Sequence, residues 1–151
     1  MQNQRQCFLI DNDEDDREIF ALALHEIDRQ LPFETAAGGP EALARMSTDP
    51  AFSPTVIFLD MNMPLMSGPQ CLQAIRDMER FRDTPVYILS TSSDPFAREE
   101  VLRLGATDFL VKPCSFGDMV ALLSSVIQLQ NQDHEQAMDK DGPSFSANDE
   151  Q

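Results

Sequence analysis

Four side chains in this 151-residue chain sit at the ends of short apolar runs and belong to the types that handle phosphorus and metal ions. Asp11 follows Cys7-Phe8-Leu9-Ile10, Asp60 closes Val56-Ile57-Phe58-Leu59, Ser90 closes Val86-Tyr87-Ile88-Leu89, and Lys112 follows Phe109-Leu110-Val111. Carboxylates gathered at one edge repel, and a hard divalent cation such as Mg²⁺ relieves that repulsion through oxygen ligands while keeping water positions open. A lysine opposite them offers positive charge to a phosphoryl oxygen, and a serine hydroxyl can donate to another. An aspartate held between metal and lysine is a nucleophile toward phosphorus. Taken singly each residue has an ordinary reading: Asp11 as a helix-capping acid, Asp60 as a loop acid, Ser90 as a turn residue, Lys112 as a solvated charge. Their shared position at strand ends is what points to chemistry. No P-loop, H-E-x-x-H, G-x-S-x-G or G-x-G-x-x-G competes with them. His25 falls in a helical stretch and His134 in the tail, so both read as bystanders.

The elements that must position these four residues follow from hydrophobic period. Short apolar runs alternate five times with amphipathic stretches, the pattern of a parallel sheet wrapped by helices. After Cys7 to Ile10, a helix puts Ile19, Phe20, Ala23, Leu24 and Ile27 on one face. Phe33 to Ala37 is a weaker second strand, followed past Gly38-Gly39-Pro40 by a short helix around Glu41 to Met46. The fully apolar run Val56 to Leu59 predicts a central strand, buried on both faces. A helix with Leu72, Ile75 and Met78 on one side leads to the fourth strand at Val86. A helix around Phe96 to Leu104 ends at Gly105, the residue type that closes helices, before the last strand and a helix near Ser115 to Gln132. In such a sheet, ligands bind beyond the carboxyl ends of the strands at the point where the strand order reverses, and there the four polar residues collect.

Charge narrows the partners. Twenty-six acids against 11 bases give −15, which disfavours attraction to nucleic acid or to an anionic membrane surface. No apolar run approaches the ~20 residues a membrane span needs, and the polar start Met1 to Gln6 does not resemble a signal peptide, so a cytoplasmic location is expected. Cys7, Cys71 and Cys114 are odd in number and far apart, reading as free thiols. Residues 133–151 hold six acids and one base with few apolar side chains, an expected disordered tail behind a single folded unit spanning residues 1–132.

Over roughly residues 5 to 130 the chain resembles a receiver domain of two-component response regulators, of the chemotaxis-type single-domain kind. The run Leu59-Asp60-Met61-Asn62-Met63-Pro64-Leu65-Met66-Ser67-Gly68 resembles the family's apolar strand, D-x-x-M-P and glycine pattern. Lys112-Pro113 resembles its K-P turn, where the bond to proline is usually cis. Ser90 follows Asp60 by 30 residues and Lys112 follows Ser90 by 22, spacings similar to the family's. The resemblance implies a flavodoxin-like (βα)₅ fold with strand order 2-1-3-4-5. It implies Asp60 as phosphoacceptor, Lys112 as its salt-bridging partner, Ser90 as the hydroxyl position and Phe109 as the aromatic switch position. It further implies Mg²⁺ held by Asp11, Asp60 and the backbone carbonyl of Asn62.

The second acid of the family's pair is missing, since Asn12 stands there; either Asp13 takes its place or the metal site is altered. Asp15 and Asp16 read as helix-start acids, stabilised by the helix dipole by about 0.3–1 kcal/mol each. The function implied is that of a stand-alone receiver rather than a classical enzyme. It would take a phosphoryl group from a sensor histidine kinase or phosphotransfer protein, assist its own transfer and dephosphorylation, and signal to a further protein without contacting DNA or membrane. Self-association is left open. Output would follow as Ser90 moves and an exposed Phe109 turns inward, with Phe96, Leu104, Phe116 and Met119 as contact residues. The alternative is a pseudo-receiver that binds proteins without ever carrying phosphate, for which Asn12 is the support. A phosphatase of the haloacid-dehalogenase type ranks last, because its D-x-D needs an acid where Asn62 stands.

Overall fold

The computed structural model describes residues 5–141. Five parallel strands, β1 (Cys7–Ile10), β2 (Phe33–Ala36), β3 (Val56–Asp60), β4 (Val86–Ser90) and β5 (Asp108–Val111), form one sheet in the order β2-β1-β3-β4-β5. Five helices connect or follow them: α1 (Glu14–Ile27), α2 (Gly39–Thr48), α3 (Gly68–Asp77), α4 (Pro95–Arg103) and α5 (Phe116–Asp141). The strand order is the expected one, and its reversal falls between β1 and β3. Asp11 and Asp60 therefore flank the crevice.

Strand side chains alternate between faces, and the burial shows it residue by residue. Phe8, Ile10, Ile57, Leu59, Ile88 and Phe109 pack toward α2, α3 and α4, against Met46, Leu72, Ile75 and Val101. Cys7, Leu9, Val56, Phe58, Tyr87 and Leu89 face the other way, toward Phe20, Ala23 and Leu24 of α1 and Met119, Leu123 and Val126 of α5. Phe58 has its ring 5.0 Å from Phe20 and 5.6 Å from Tyr87, so the central strand anchors that layer. Fully burying side chains of this size contributes roughly 1.5–3 kcal/mol each.

Several expectations are corrected here. Ile19 is 43% exposed, because Phe20, Ala23 and Leu24 fill the space under α1 and leave Ile19 at the margin of the stripe. Helix α5 runs past Gln132 to Asp141, since the sequence offers no helix breaker before Gly142-Pro143. The part of the expected disordered tail at 142–151 lies outside the described residues. Lys112-Pro113 is trans, as is every described peptide bond. Gly105 closes α4 as expected, at φ +109. No described helix is long and apolar enough to cross a membrane.

Candidate phosphoacceptor site

Among the described residues, the buried charged or polar ones, tyrosine being counted with the aromatics, are Asp11, Asp60 and Ser90. All three lie at the carboxyl edge of the sheet. Burying an ionised carboxylate without compensation is costly, so such residues need partners. The partner of both acids is Lys112, whose Nζ lies 2.9 Å from Asp60 Oδ1 and 3.3 Å from Asp11 Oδ2.

Backbone pairing fixes these positions. The ladder aligns Asp60 with Leu89 and Ser90 with Val111, and the Lys112 amide donates to the Ser90 carbonyl at 2.7 Å. Beyond β3 the chain turns sharply. Leu65, 96% exposed, adopts a left-handed φ of 69°, and the Met66 amide donates to the Pro64 carbonyl at 2.7 Å across it. This is the strained hand of the γ-turn. Ser67 then opens α3 with a capping box to Gln70. Gly68 allows that first turn to press against the acceptor's own backbone: a Cβ there would lie 2.6 Å from the Asp60 carbonyl oxygen.

Behind β1, Asp13 caps α1, its carboxylate accepting from the Asp16 amide at 3.1 Å. The Asp13 amide in turn donates to Asp11 Oδ1 at 3.0 Å. Asn12 is exposed. Asp13, which the sequence left open as a substitute metal ligand, is the cap of α1, and Asp16, a first-turn acid as expected, has a second partner as well. Its Oδ2 accepts from Lys112 Nζ at 3.0 Å, completing a ring of three carboxylates around one ammonium. The available signal was position: Asp16 is three residues beyond the cap Asp13, over the turn that faces the strand ends, and Lys112 is the single lysine before residue 133.

Burial pushes the Asp60 carboxyl above the ordinary carboxylate range; the Lys112 hydrogen bond opposes this and the Asp11 charge adds to it. Asp11 is raised by burial too, against the Asp13 amide and Lys112. Burial alone would lower Lys112, but hydrogen bonds to Asp60 and Asp16 and the charge of Asp11 carry it above the ordinary lysine range. The causes differ: burial lifts the two carboxyls in spite of Lys112, whereas the surrounding carboxylates lift Lys112 in spite of its burial.

The donor set also suits a divalent cation. Among the described residues no group of three or more acids, histidines or cysteines has the spacing of a closed metal cage. Mg²⁺ does not need one, because it is commonly held by one or two carboxylates and keeps its remaining waters. The buried, all-oxygen pair Asp11 and Asp60, in a cluster with net negative charge, meets that requirement.

Ser90 is 3% exposed, and its Oγ accepts from the Ser92 amide at 3.0 Å, at the rim of the same edge. Phe109 departs from expectation. It is only 5% exposed and packs in the layer with Val101 of α4, so the expected exposed aromatic is an inward one. Of the four expected contact residues, Phe96 at 80% and Phe116 at 46% are exposed, whereas Met119 is buried and Leu104 packs on the core. A cavity of about 180 Å³ opens beside the cluster, bounded by Asp11, Asp16, Ile19, Lys112, Phe116 and Met119. A larger depression at the opposite end of the sheet, near Gln6, Arg80 and Pro85, is remote from these groups.

Comparison with known proteins agrees with this geometry. The sequence pattern of the response regulator receiver domain matches residues 7–124. The chain is 38% identical over 94 residues to the transcriptional regulatory protein PrrA of Mycobacterium tuberculosis, covering 62% of this chain and 38% of that protein. It thus spans about two fifths of the length of the PrrA relatives it matches. It is 32% identical over 115 residues to the two-component response regulator ORR11 of Oryza sativa subsp. japonica, covering 75% of this chain and 77% of that one. The solved chemotaxis response regulator CheY4 of Vibrio cholerae superimposes with a TM-score of 0.70 at 31% identity, over 82% of this chain and 99% of that one. With strand order, buried acids and sequence in accord, the chain belongs to the response regulator receiver family.

Proposed function

We propose that Asp60 accepts a phosphoryl group from a phosphohistidine of a sensor kinase or phosphotransfer protein. The observation that carries this reading is the 2.9 Å contact of Lys112 Nζ with Asp60, inside a strand edge that concentrates the buried polar residues of the described chain. An Asp60 carboxylate oxygen forms the new bond to phosphorus as the bond from phosphorus to the donor's imidazole nitrogen breaks, and the imidazole keeps the electron pair. Lys112 stays close to the acceptor and supplies a hydrogen bond to the charge that spreads over the phosphoryl oxygens. Ser90 stands where a small displacement of its loop brings a hydroxyl to another of them. Asp11, Asp60 and the Asn62 carbonyl are the groups that would hold Mg²⁺, which when bound would neutralise phosphoryl charge.

Receiver domains are signalling phosphoacceptors rather than classical enzymes. The further reading is a cytoplasmic receiver that signals through contact with another protein. The net charge of −15 sets this chain's own surface against direct DNA contact.

The test is incubation with Mg²⁺ and acetyl phosphate followed by intact-mass analysis. The expected result is one base-labile phosphoryl group per chain, absent from Asp60→Asn. Labelling of Asp60→Asn at the wild-type level would move the acceptor elsewhere, and an unlabelled wild type would leave a constitutive binding module.

A further inference from the structure

We propose that Asp16 is a positioning residue for phosphoryl transfer, a third acid that holds the Lys112 ammonium in its working place. The proposal rests on the phosphoacceptor reading of Asp60. An ammonium carries three hydrogens, and here three carboxylates meet it: Asp60 at 2.9 Å, Asp16 at 3.0 Å and Asp11 at 3.3 Å. The Asp16–Lys112 bridge joins residues 96 apart in sequence, linking the first turn of α1 to the end of β5. That first turn is itself fixed. Asp13 accepts from the Asp16 amide, and Arg17 Nη1 donates to the Asp11 carbonyl at 2.8 Å, tying α1 to the end of β1.

Asn12 brings no charge to this cluster, and the Asp13 carboxylate is engaged in capping. The third acid therefore comes from one turn further along. Lysine sits on a flexible four-carbon stem and behaves as a point charge, so its placement depends on what surrounds its head. When Asp60 Oδ1 becomes part of an acyl phosphate, the hydrogen it accepted is released to a phosphoryl oxygen. Asp11 and Asp16 retain the other two, and the ammonium does not drift. The Asp16 side chain is 42% exposed, so its bridge contributes little to stability; its effect is on position.

The chain carries only two lysines, Lys112 and Lys140, which makes the ammonium directly readable. Side-chain ammonium NMR of the full chain should show one slowly exchanging lysine in the wild type, without added metal. In Asp16→Ala that signal should broaden, and the rate of phosphorylation at saturating acetyl phosphate and Mg²⁺ should fall about tenfold. The half-saturating donor concentration should stay within about twofold, since positioning acts on the transfer step. Asp16→Glu, which keeps the charge, should recover most of both readouts. A wild-type rate in Asp16→Ala, or a slowed rate with an unmoved lysine signal, would overturn the positioning role while leaving Asp60 as acceptor. A wild-type chain that takes no phosphoryl group would overturn the acceptor reading and this proposal with it.

Discussion

Lys112 is the residue on which the balance of the site depends. Its side chain is 14% exposed, and it is the cation shared by the buried Asp11 and Asp60. Lys112→Met keeps most of the stem's packing and removes the charge, leaving two buried carboxylates uncompensated. Loss of one member of a buried pair typically costs 3–5 kcal/mol; with the cluster open to solvent on one side, about 3 kcal/mol is expected. The pH dependence has a definite sign. Asp11 and Asp60 already bind protons more readily folded than unfolded, because burial raises both. Stability from that source falls as pH rises from the unfolded carboxylate value through the folded one. Without Lys112 the gap widens, so Lys112→Met should regain stability relative to wild type on acidification below neutral pH, measured by urea denaturation across a pH series. A pH-independent deficit would mean that lost packing, not charge, is responsible. Asp11, Asp60, Ser90 and Lys112 were legible in the sequence because each ends an apolar run, and the sheet register does the rest. Asp16 was not, because an acid in the first turn of a helix has a sufficient local explanation, and which way that turn faces depends on how the helix docks.

The loop from Asp60 to Gly68 and the helix it starts show what sequence conveys about local structure and where it stops. The run ending in Asp60, the Pro64 turn and the Ser67-Gly68-Pro69 helix start all carry local chemistry, so the element was readable. The reason for Gly68 was not, since it lies in space rather than in sequence. A Cβ at 68 would meet the Asp60 carbonyl oxygen at 2.6 Å and Met61 Cα and O at 2.9 Å, all backbone atoms that cannot turn aside. Gly68→Ala should therefore destabilise by about 1–3 kcal/mol and slow phosphorylation even where the protein stays folded, because relief requires displacing Asp60. Gly117, in the first turn of α5 with nothing within 4 Å of its Cβ position, is the control. Gly117→Ala should stabilise by about 0.5 kcal/mol by narrowing the unfolded ensemble. Thermal melts of the two variants should move in opposite directions; matching shifts would show that the close approach at 68 is not what selects glycine. Phe109 illustrates the complementary limit. Alternation along β5 put Phe109 and Val111 on one face, yet Val111 is 45% exposed and Phe109 5%. Alternation gives the face of an edge strand; only the position of α4 decides how far along it cover extends.

Across the molecule, two layers of helices rest on opposite faces of one sheet, and two cysteines report on them separately. Cys7 packs in the layer of α1 and α5, and Cys71 packs in the layer of α2, α3 and α4. Both are buried, and burial pushes each thiol up to about 12, whereas Cys114 is exposed beside the site cavity. A thiol reagent near pH 8 should therefore modify one cysteine promptly and the other two only when the structure opens. The sheet is the shared wall: β1 sends Cys7 and Leu9 to one layer and Phe8 and Ile10 to the other, so neither layer can lose its packing without exposing the strand that supports both. A single domain of this size is expected to unfold as one unit. Cys7 and Cys71 should then react with a common slow rate, both accelerated equally by low concentrations of urea, as followed by peptide mass after quenching. If Cys7 reacted much faster than Cys71, the α1–α5 layer would be opening alone. The acidic first turn of α1, which carries Asp16 to Lys112, would then be the part of the site that comes and goes.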